Sequence, residues 1–324
     1  PYKFVGTQAM FLIIGYILMF IIANINYRKY LNISNLIFIL CFILLILVLI
    51  PGIGKVRNGS RSWFGIGPLG IQPSEFSKLG LIIYTSKYLS HNNKDIKSIK
   101  KGLLPLFLII IIFFILIMLE PDFGTAMVII LTLIVLIYIS GPNLSFFIKI
   151  GLIGLLGIIG LIAIAPYRIK RITAYLNPWS DPLGSGFQII QSLYAIGPGG
   201  LLGRGLGNSI QKHFYLPEPQ TDFIFAIISE ELGILGILLV ASLFILIIYR
   251  GFYISINCND KFGKYVSFGI TFGLAFQALL NLMVVVGLIP VTGVTLPFLS
   301  YGGSSLLVSM ASIGIILNIS KSIK

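Results

Sequence analysis

Apolar residues in this chain come in runs too long for a water-soluble core. Windows near residues 8–26, 35–50, 76–90, 103–119, 123–140, 145–165, 223–249, 266–287 and 303–320 are dominated by Ile, Leu, Phe and Val. Several approach the ~20 residues that cross a hydrocarbon core. None shows the alternation of barrel strands, and in lipid a helix closes its own backbone hydrogen bonds. The pattern predicts an all-α, polytopic membrane helix bundle with nine transmembrane helices, one domain over residues 1–324. The window at 76–90 is the weakest because Lys78 and Lys87 interrupt it, although Pro73 and Ser74 supply a helix start.

Composition agrees. Hydrophobic residues make up 57% of the 324 positions and charged ones 10%, against about 25% charged in soluble proteins. Mean hydropathy is +1.00. A soluble enzyme is excluded. The net charge of +13 does not point to nucleic acid, because the basic residues fall between the apolar runs instead of lining one face.

Their distribution orients the spans. Arg28, Lys29, Lys87, Lys94, Lys97, Lys100, Lys101, Lys149, Arg250, Lys261, Lys264, Lys321 and Lys324 lie in connectors predicted to face the cytoplasm. The connectors around Pro121 and over 288–302 carry no Lys or Arg. Nine spans then put Pro1 outside, and a tenth span preceding Pro1 is expected. The remaining basic residues, Lys3, Lys55, Arg57, Arg61, Lys78, Arg168, Lys170, Arg171, Arg204 and Lys212, fall on or near the outer side. Most sit in the loop 51–73 or in a long extracytoplasmic loop, 166–222, between the sixth and seventh spans. That loop is too long for a simple turn, and FQIIQSLYAI within it predicts an ordered piece on the membrane surface.

Of ten acids, only Asp95 and Asp260 lie in cytoplasmic connectors. Glu75, Glu120, Asp122, Asp181, Glu218, Asp222, Glu230 and Glu231 gather on the outer side or in adjoining helices. An acid in the apolar zone costs about 2.5–3.5 kcal/mol on insertion scales, so each needs a partner or a purpose. Asp222, where a polar run meets FIFAIISEELG, reads as a general base or as a helix N-cap. Glu75 and Lys78 share a helix face, either neutralising each other or forming a polar pocket with Asp122. Glu230 and Glu231 read as a buried polar network. Lys55, Arg57 and Arg61 beside Trp63 suit a phosphate or an anionic headgroup. The segment IGPGGLLGRGLGN has neither dinucleotide nor Walker spacing, so close backbone packing or a turn around Arg204 is expected. Cys41 and Cys258 show no ligand-like grouping, and His91 and His213 fall on opposite sides, leaving no His-based metal site.

Four blocks, in order, resemble one family. They are PGIGKVRNGSRSW with GPLGIQPSEFSKLGL at 51–81, EPDFGTA at 120–126, GPGGLLGRGLGNSIQKHFYLPEPQTDFIFAIISEELG at 197–233, and NLMVVVGLIPVTGVTLPFLSYGGSS at 281–305. The family is the SEDS polytopic glycosyltransferases of bacterial cell-wall synthesis, which include FtsW, RodA and SpoVE, and the first block looks more like the FtsW and SpoVE branch. Two positions depart from the family pattern: Ser62 stands where many relatives have Arg before the tryptophan, and Gln220 where relatives often have His.

The resemblance implies ten transmembrane helices, the first missing here, and a multi-pass protein of the bacterial cytoplasmic membrane. It implies an inverting peptidoglycan glycosyltransferase that polymerises lipid II on the outer face, for division or sporulation. Asp222 would be the catalytic carboxylate. Glu75, Lys78 and Asp122 would be polar residues of a central cavity that binds substrate. On physical grounds Arg61, Arg204 and Lys212 are the candidate cations for the leaving pyrophosphate, since cations at the outer surface stabilise its developing charge, and Trp63 joins them as a substrate-binding candidate. The implied partners are lipid II, an undecaprenyl-pyrophosphate-linked glycan, a class B penicillin-binding protein and other divisome or sporulation proteins, with no nucleic acid. No cofactor is fixed, and a divalent cation, Mg or Mn, stays open. The rival readings are a lipid II flippase and a non-catalytic divisome scaffold.

Overall fold

The computed structural model describes residues 2–57, 59–65, 70–92, 96, 98–164, 166–213 and 215–323. Pro1, Lys94, Asp95, Lys97 and Lys324, which entered the assignment of sides, lie outside the described residues, as do the side chains of Lys3 and Arg168. The helices are α1 (Tyr2–Asn24), α2 (Arg28–Leu49), α3 (Pro73–His91), α4 (Leu104–Leu119), α5 (Phe123–Ile139), α6 (Leu144–Ile164), α7 (Pro166–Leu176), α8 (Phe187–Ile196), α9 (Ile224–Asn257), α10 (Lys261–Val285) and α11 (Gly303–Ser320). Each of the apolar windows read from the sequence coincides with one of them. Among the described residues, six stretches are long and apolar enough to cross a membrane: Phe4–Asn24, Arg28–Leu49, Ile99–Leu119, Ile224–Asn257, Lys261–Val285 and Gly303–Ser320. Phe123–Ile139 and Leu144–Gly157 are shorter apolar helices.

The chain forms two compact units, one of residues 1–142, 247–276 and 301–324, the other of 143–246 and 277–300. In the first, α1 packs on α11 through small residues. A Cβ on Gly314 would lie 2.7 Å from the Met19 carbonyl, and one on Gly303 would lie 2.4 Å from the Phe11 ring. Such close approach is how helices associate in lipid, where hydrophobicity alone does not draw them together. The contact ends in hydrogen bonds: Asn318 Nδ2 donates to the Ala23 carbonyl at 2.8 Å, and the Tyr27 amide donates to Asn318 Oδ1 at 2.8 Å. The more polar α3 buries Ser74, Ser77, Thr85 and Ser86. Its Gly80 sits against Cys41 of α2, where a Cβ would approach Sγ to 2.7 Å.

The connector after α2 departs from the all-helical expectation. Lys55–Arg57 (β1) and Ser60–Trp63 (β2) form an antiparallel hairpin, with Arg57 opposite Ser60 and Val56 opposite Arg61. Gly59 takes φ +80°. Asn-Gly flanked by β-formers is a strong short-range hairpin signal, and it stands in the sequence as Asn58–Gly59.

In the second unit, residues 166–222 hold α7 and α8, so this segment is built rather than merely connecting. The predicted piece FQIIQSLYAI is α8, which buries Ile189, Ile190 and Ala195. Its Ser192 hydroxyl donates to the Val285 carbonyl at 2.7 Å. From α7, Arg171 donates to the Val291 carbonyl at 3.0 Å. The long α9 is broken at Gly233, whose φ of 61° and ψ of −153° are not helical.

Candidate active site

The first unit holds Arg61, Trp63, Glu75, Lys78 and Asp122. Gln72 precedes α3, whose first turn carries Glu75. Lys78 Nζ lies 2.8 Å from Glu75 Oε2, both side chains being largely buried. The expected i,i+3 neutralisation is therefore present. It does not stand alone: Gln72 Nε2 donates to Asp122 Oδ2 at 3.0 Å, tying the start of α3 to the start of α5. Asp122 also caps α5, its Oδ1 accepting from the Thr125 amide at 3.1 Å. Burial raises the Asp122 pKa, and the Thr125 hydrogen bonds oppose that rise. Ser304 ties in the segment before α3, accepting from the Gln72 amide at 3.0 Å and donating to the Gly70 carbonyl at 3.1 Å.

Two residues before Asp122, Glu120 is wholly buried, and neither carboxylate oxygen has a hydrogen-bond partner among the described residues. Burial, reinforced by the Asp122 charge, pushes its pKa up to about 9, so near neutral pH it is a neutral acid. The Ser60 hydroxyl donates to its backbone carbonyl, joining the hairpin to the α4–α5 connector.

On the hairpin, the Arg61 guanidinium reaches the Leu49 carbonyl at 3.5 Å, at the C-terminus of α2, where a cation is favoured. It is Arg57 whose guanidinium lies over the Trp63 ring, 4.9 Å from the centroid. Ser62 is buried, its hydroxyl 2.9 Å from that of Ser60.

The second unit holds Arg204, Lys212 and Asp222. With α9 starting at Ile224, the N-cap position belongs to Phe223, and Asp222 stands one residue before it. Asp222 is partly exposed, and a Cβ on Gly293 would meet its Oδ2 at 3.8 Å. Its backbone is firmly held. The buried Asn281 of α10 donates through Nδ2 to the Asp222 carbonyl at 2.7 Å and to the Val294 carbonyl at 2.8 Å. Ser300 donates to the Thr221 carbonyl at 2.6 Å while accepting from the Leu296 amide at 2.7 Å.

Glu230 and Glu231 form the polar network expected of them, and its partners are in the loop. Glu230 accepts from the Ser209 hydroxyl at 2.5 Å and from the Ile210 and Gln211 amides at 2.9 and 3.3 Å, with Arg204 Nε 3.8 Å away. Glu231 accepts from the Gly207 and Ser209 amides at 3.0 and 3.2 Å and pairs with Lys212 Nζ at 2.6 Å. Both candidate cations of this loop are thus held by adjacent acids on one helix turn.

The glycine-rich segment packs its backbone closely on the same turn. A Cβ on Gly203, at φ +74°, would stand 2.2 Å from the Glu231 carbonyl oxygen, and one on Gly199 would stand 2.3 Å from that of Ser229. Among the described residues no three His, Cys, Asp or Glu side chains gather as a metal set. Gln72, Asn281 and Ser300 escaped the sequence reading of the site, and Glu120 was counted among the outer acids without a role. The available signal was a polar side chain in an apolar or glycine-rich context, as in NLMVVV and LSYGG.

These features define a multi-pass helical membrane protein whose ionisable groups collect at helix ends and at one helix break. The family model for FtsW, RodA and SpoVE, described as "Cell cycle protein", matches residues 1–324, and the chain belongs to that family. It is 55% identical over 318 residues to stage V sporulation protein E of Bacillus subtilis, covering 98% of this chain and 87% of that protein. It is 41% identical to the probable peptidoglycan glycosyltransferase FtsW of Legionella pneumophila, covering 98% and 82%. A solved structure of a peptidoglycan synthase complex that coordinates polymerization and crosslinking matches with TM-score 0.80 at 31% identity, covering 98% of this chain and 90% of that one. The rod shape determining protein RodA of Thermus thermophilus matches with TM-score 0.72 at 28% identity, covering 99% and 88%.

Proposed function

We propose that this protein is an inverting peptidoglycan glycosyltransferase. It polymerises lipid II on the outer face of the bacterial cytoplasmic membrane, through a SEDS-type domain of nine spans in this chain with residues 166–222 outside. The hydroxyl oxygen of the acceptor sugar attacks the anomeric carbon of the lipid-linked donor. The carbon–oxygen bond to the pyrophosphate breaks as the new glycosidic bond forms, and Asp222 takes the hydroxyl proton. One displacement turns an α-linked pyrophosphate into a β-linked sugar, so a single base suffices and no covalent intermediate forms. A hydroxyl is a poor nucleophile until a base removes its proton, and the lipid pyrophosphate leaves with its charge met by nearby cations.

The observation that carries this reading is the fixing of the Thr221–Asp222 backbone. Two side chains, Asn281 and Ser300, hold consecutive carbonyls immediately before α9, in a chain matched throughout by a family whose relatives include probable peptidoglycan glycosyltransferases. Holding the backbone limits where the carboxylate can swing, which is what a positioned base requires. Arg204 and Lys212 are the candidate pyrophosphate cations of the loop. Glu75, Lys78 and Asp122 are substrate-cavity residues, and Arg61 and Trp63 belong to the same substrate-binding set. A class B penicillin-binding protein is the proposed partner, supported by the likeness to a complex that both polymerises and crosslinks.

Asp222→Asn and Asp222→Ala, reconstituted with the partner and labelled lipid II, should lose roughly 10²–10⁴-fold in glycan synthesis, the span general base catalysis supplies. Lipid II movement between leaflets without glycan product, or full synthesis by both variants, would overturn the assignment.

A further inference from the structure

The break in α9 creates a problem that the loop solves. Loss of helical geometry at Gly233 strips partners from backbone groups on either side, and in or near hydrocarbon such groups must be satisfied. The Ile234 and Leu235 amides donate to the Gly200 and Leu201 carbonyls at 2.9 and 3.3 Å, while the Arg204 and Gly205 amides donate to the Glu230 and Glu231 carbonyls, both at 2.9 Å. Four reciprocal bonds therefore stitch residues 200–205 into the gap.

This stitch sets a depth. Ile234, Leu235, Leu238 and Leu239 are exposed and begin the lipid-facing stripe of α9. The stripe continues through Leu243, Ile245 and Leu246, all exposed, so it runs about 18 Å along α9 at the helical rise, with the stitched loop at its first turn. The loop is thus pinned at the end of α9's exposed apolar stripe, where a helix of this kind leaves the hydrocarbon. At that level Leu201, Leu202 and Leu206 are 69%, 74% and 76% exposed, on either side of Arg204. With Nε turned to Glu230, the two Nη groups are the edge that Arg204 offers to an oxyanion.

We infer that the segment Leu201–Leu206 is a seat for the polyprenyl pyrophosphate end of the substrate, a reading that rests on the glycosyltransferase assignment. The three leucines meet the first isoprene units at the depth where the tail enters the leaflet, and Arg204 meets the phosphates. A cation flanked along the chain by three exposed leucines matches a molecule that is anionic at its head and hydrocarbon immediately below.

The test compares lipid II analogues carrying a long or a short, water-soluble prenyl chain, with the full chain and its partner in nanodiscs. Wild type should prefer the long chain in kcat/KM. The triple variant Leu201→Ser, Leu202→Ser, Leu206→Ser should lower that preference by roughly tenfold, the scale of a lost apolar contact in a binding site. Hydrogen exchange at residues 200–205 checks that the stitch survives. A photocrosslinker at position 202 should capture the long-chain analogue. Undiminished preference in an intact triple variant, or capture of only bulk phospholipid or protein, overturns the seat. Absence of synthesis by wild type overturns the glycosyltransferase reading instead.

Discussion

The two units handle buried charge in opposite ways. In the first, Glu75 is neutralised by Lys78 three residues along the same helix, while Asp122 draws its hydrogen bonds from Gln72, 50 residues back, and from its own first turn; the contrast is between the ion pairs. In the second, Glu230 and Glu231 reach about twenty residues back along the chain, to a loop that carries the cations they hold. Local pairing makes a polar helix tolerable inside a membrane bundle. Long-range pairing instead fixes a loop whose backbone alone would wander, because each glutamate gathers several donors at once.

That contrast is sharpest at Glu230. Its carboxylate is 1% exposed and collects one hydroxyl and two amides, with a guanidinium nearby. Glu230→Ala should leave those donors unpaired, costing about 3–5 kcal/mol and freeing the loop. Hydrogen exchange should accelerate across residues 204–212, and glycan synthesis should fall with KM rising more than kcat falls. Glu231→Ala should do less, since its Lys212 partner is partly exposed and already solvated. Equal exchange in Glu230→Ala and wild type would mean that the loop is held by its backbone stitch alone.

The first unit predicts a different signature. Lys78→Met leaves Glu75 buried without its cation and should cost up to about 3–5 kcal/mol, while the double change Glu75→Gln with Lys78→Met should recover most of it. Denaturation of the purified protein in detergent reads the cycle. Additive losses would show that the pair is not a unit, and the comparison between the two regions would lose its basis.

Legibility followed the same division. Each apolar window became a helix because lipid leaves a backbone few alternatives, and the Glu75–Lys78 pair could be read at helical spacing. The hairpin was missed although Asn58–Gly59 announces it, because residues 51–73 read as a basic loop between spans and their turn signal went unweighed. Asn281 and Ser300 were out of reach for a deeper reason. Their importance lies in which carbonyls they touch, dozens of residues away, and no local pattern carries that information. The leucines of LLGRGLG read as ordinary packing residues in the sequence, whereas in the fold, with the loop backbone stitched to the broken helix, their side chains are left exposed.

The effect expected at Glu120 shows only when pH is varied, because this acid of the first unit is buried without a cation of its own to pair with among the described residues, as Glu75 has in Lys78. Its acid is buried without a hydrogen-bond partner among the described residues, and burial pushes its pKa up to about 9 from an ordinary carboxylate value. A raised folded-state value means that the native protein holds this proton more tightly than the unfolded chain does. The resulting stability is fully present below the ordinary carboxylate range and is lost as pH climbs through about 9. Glu120→Gln keeps the shape and removes the titration. Its melting temperature should match wild type at pH 5, and the variant should become the more stable of the two as pH rises toward 9. Parallel melting curves across that range would mean that the carboxyl is already charged at neutral pH, and that a partner for it exists in the first unit after all.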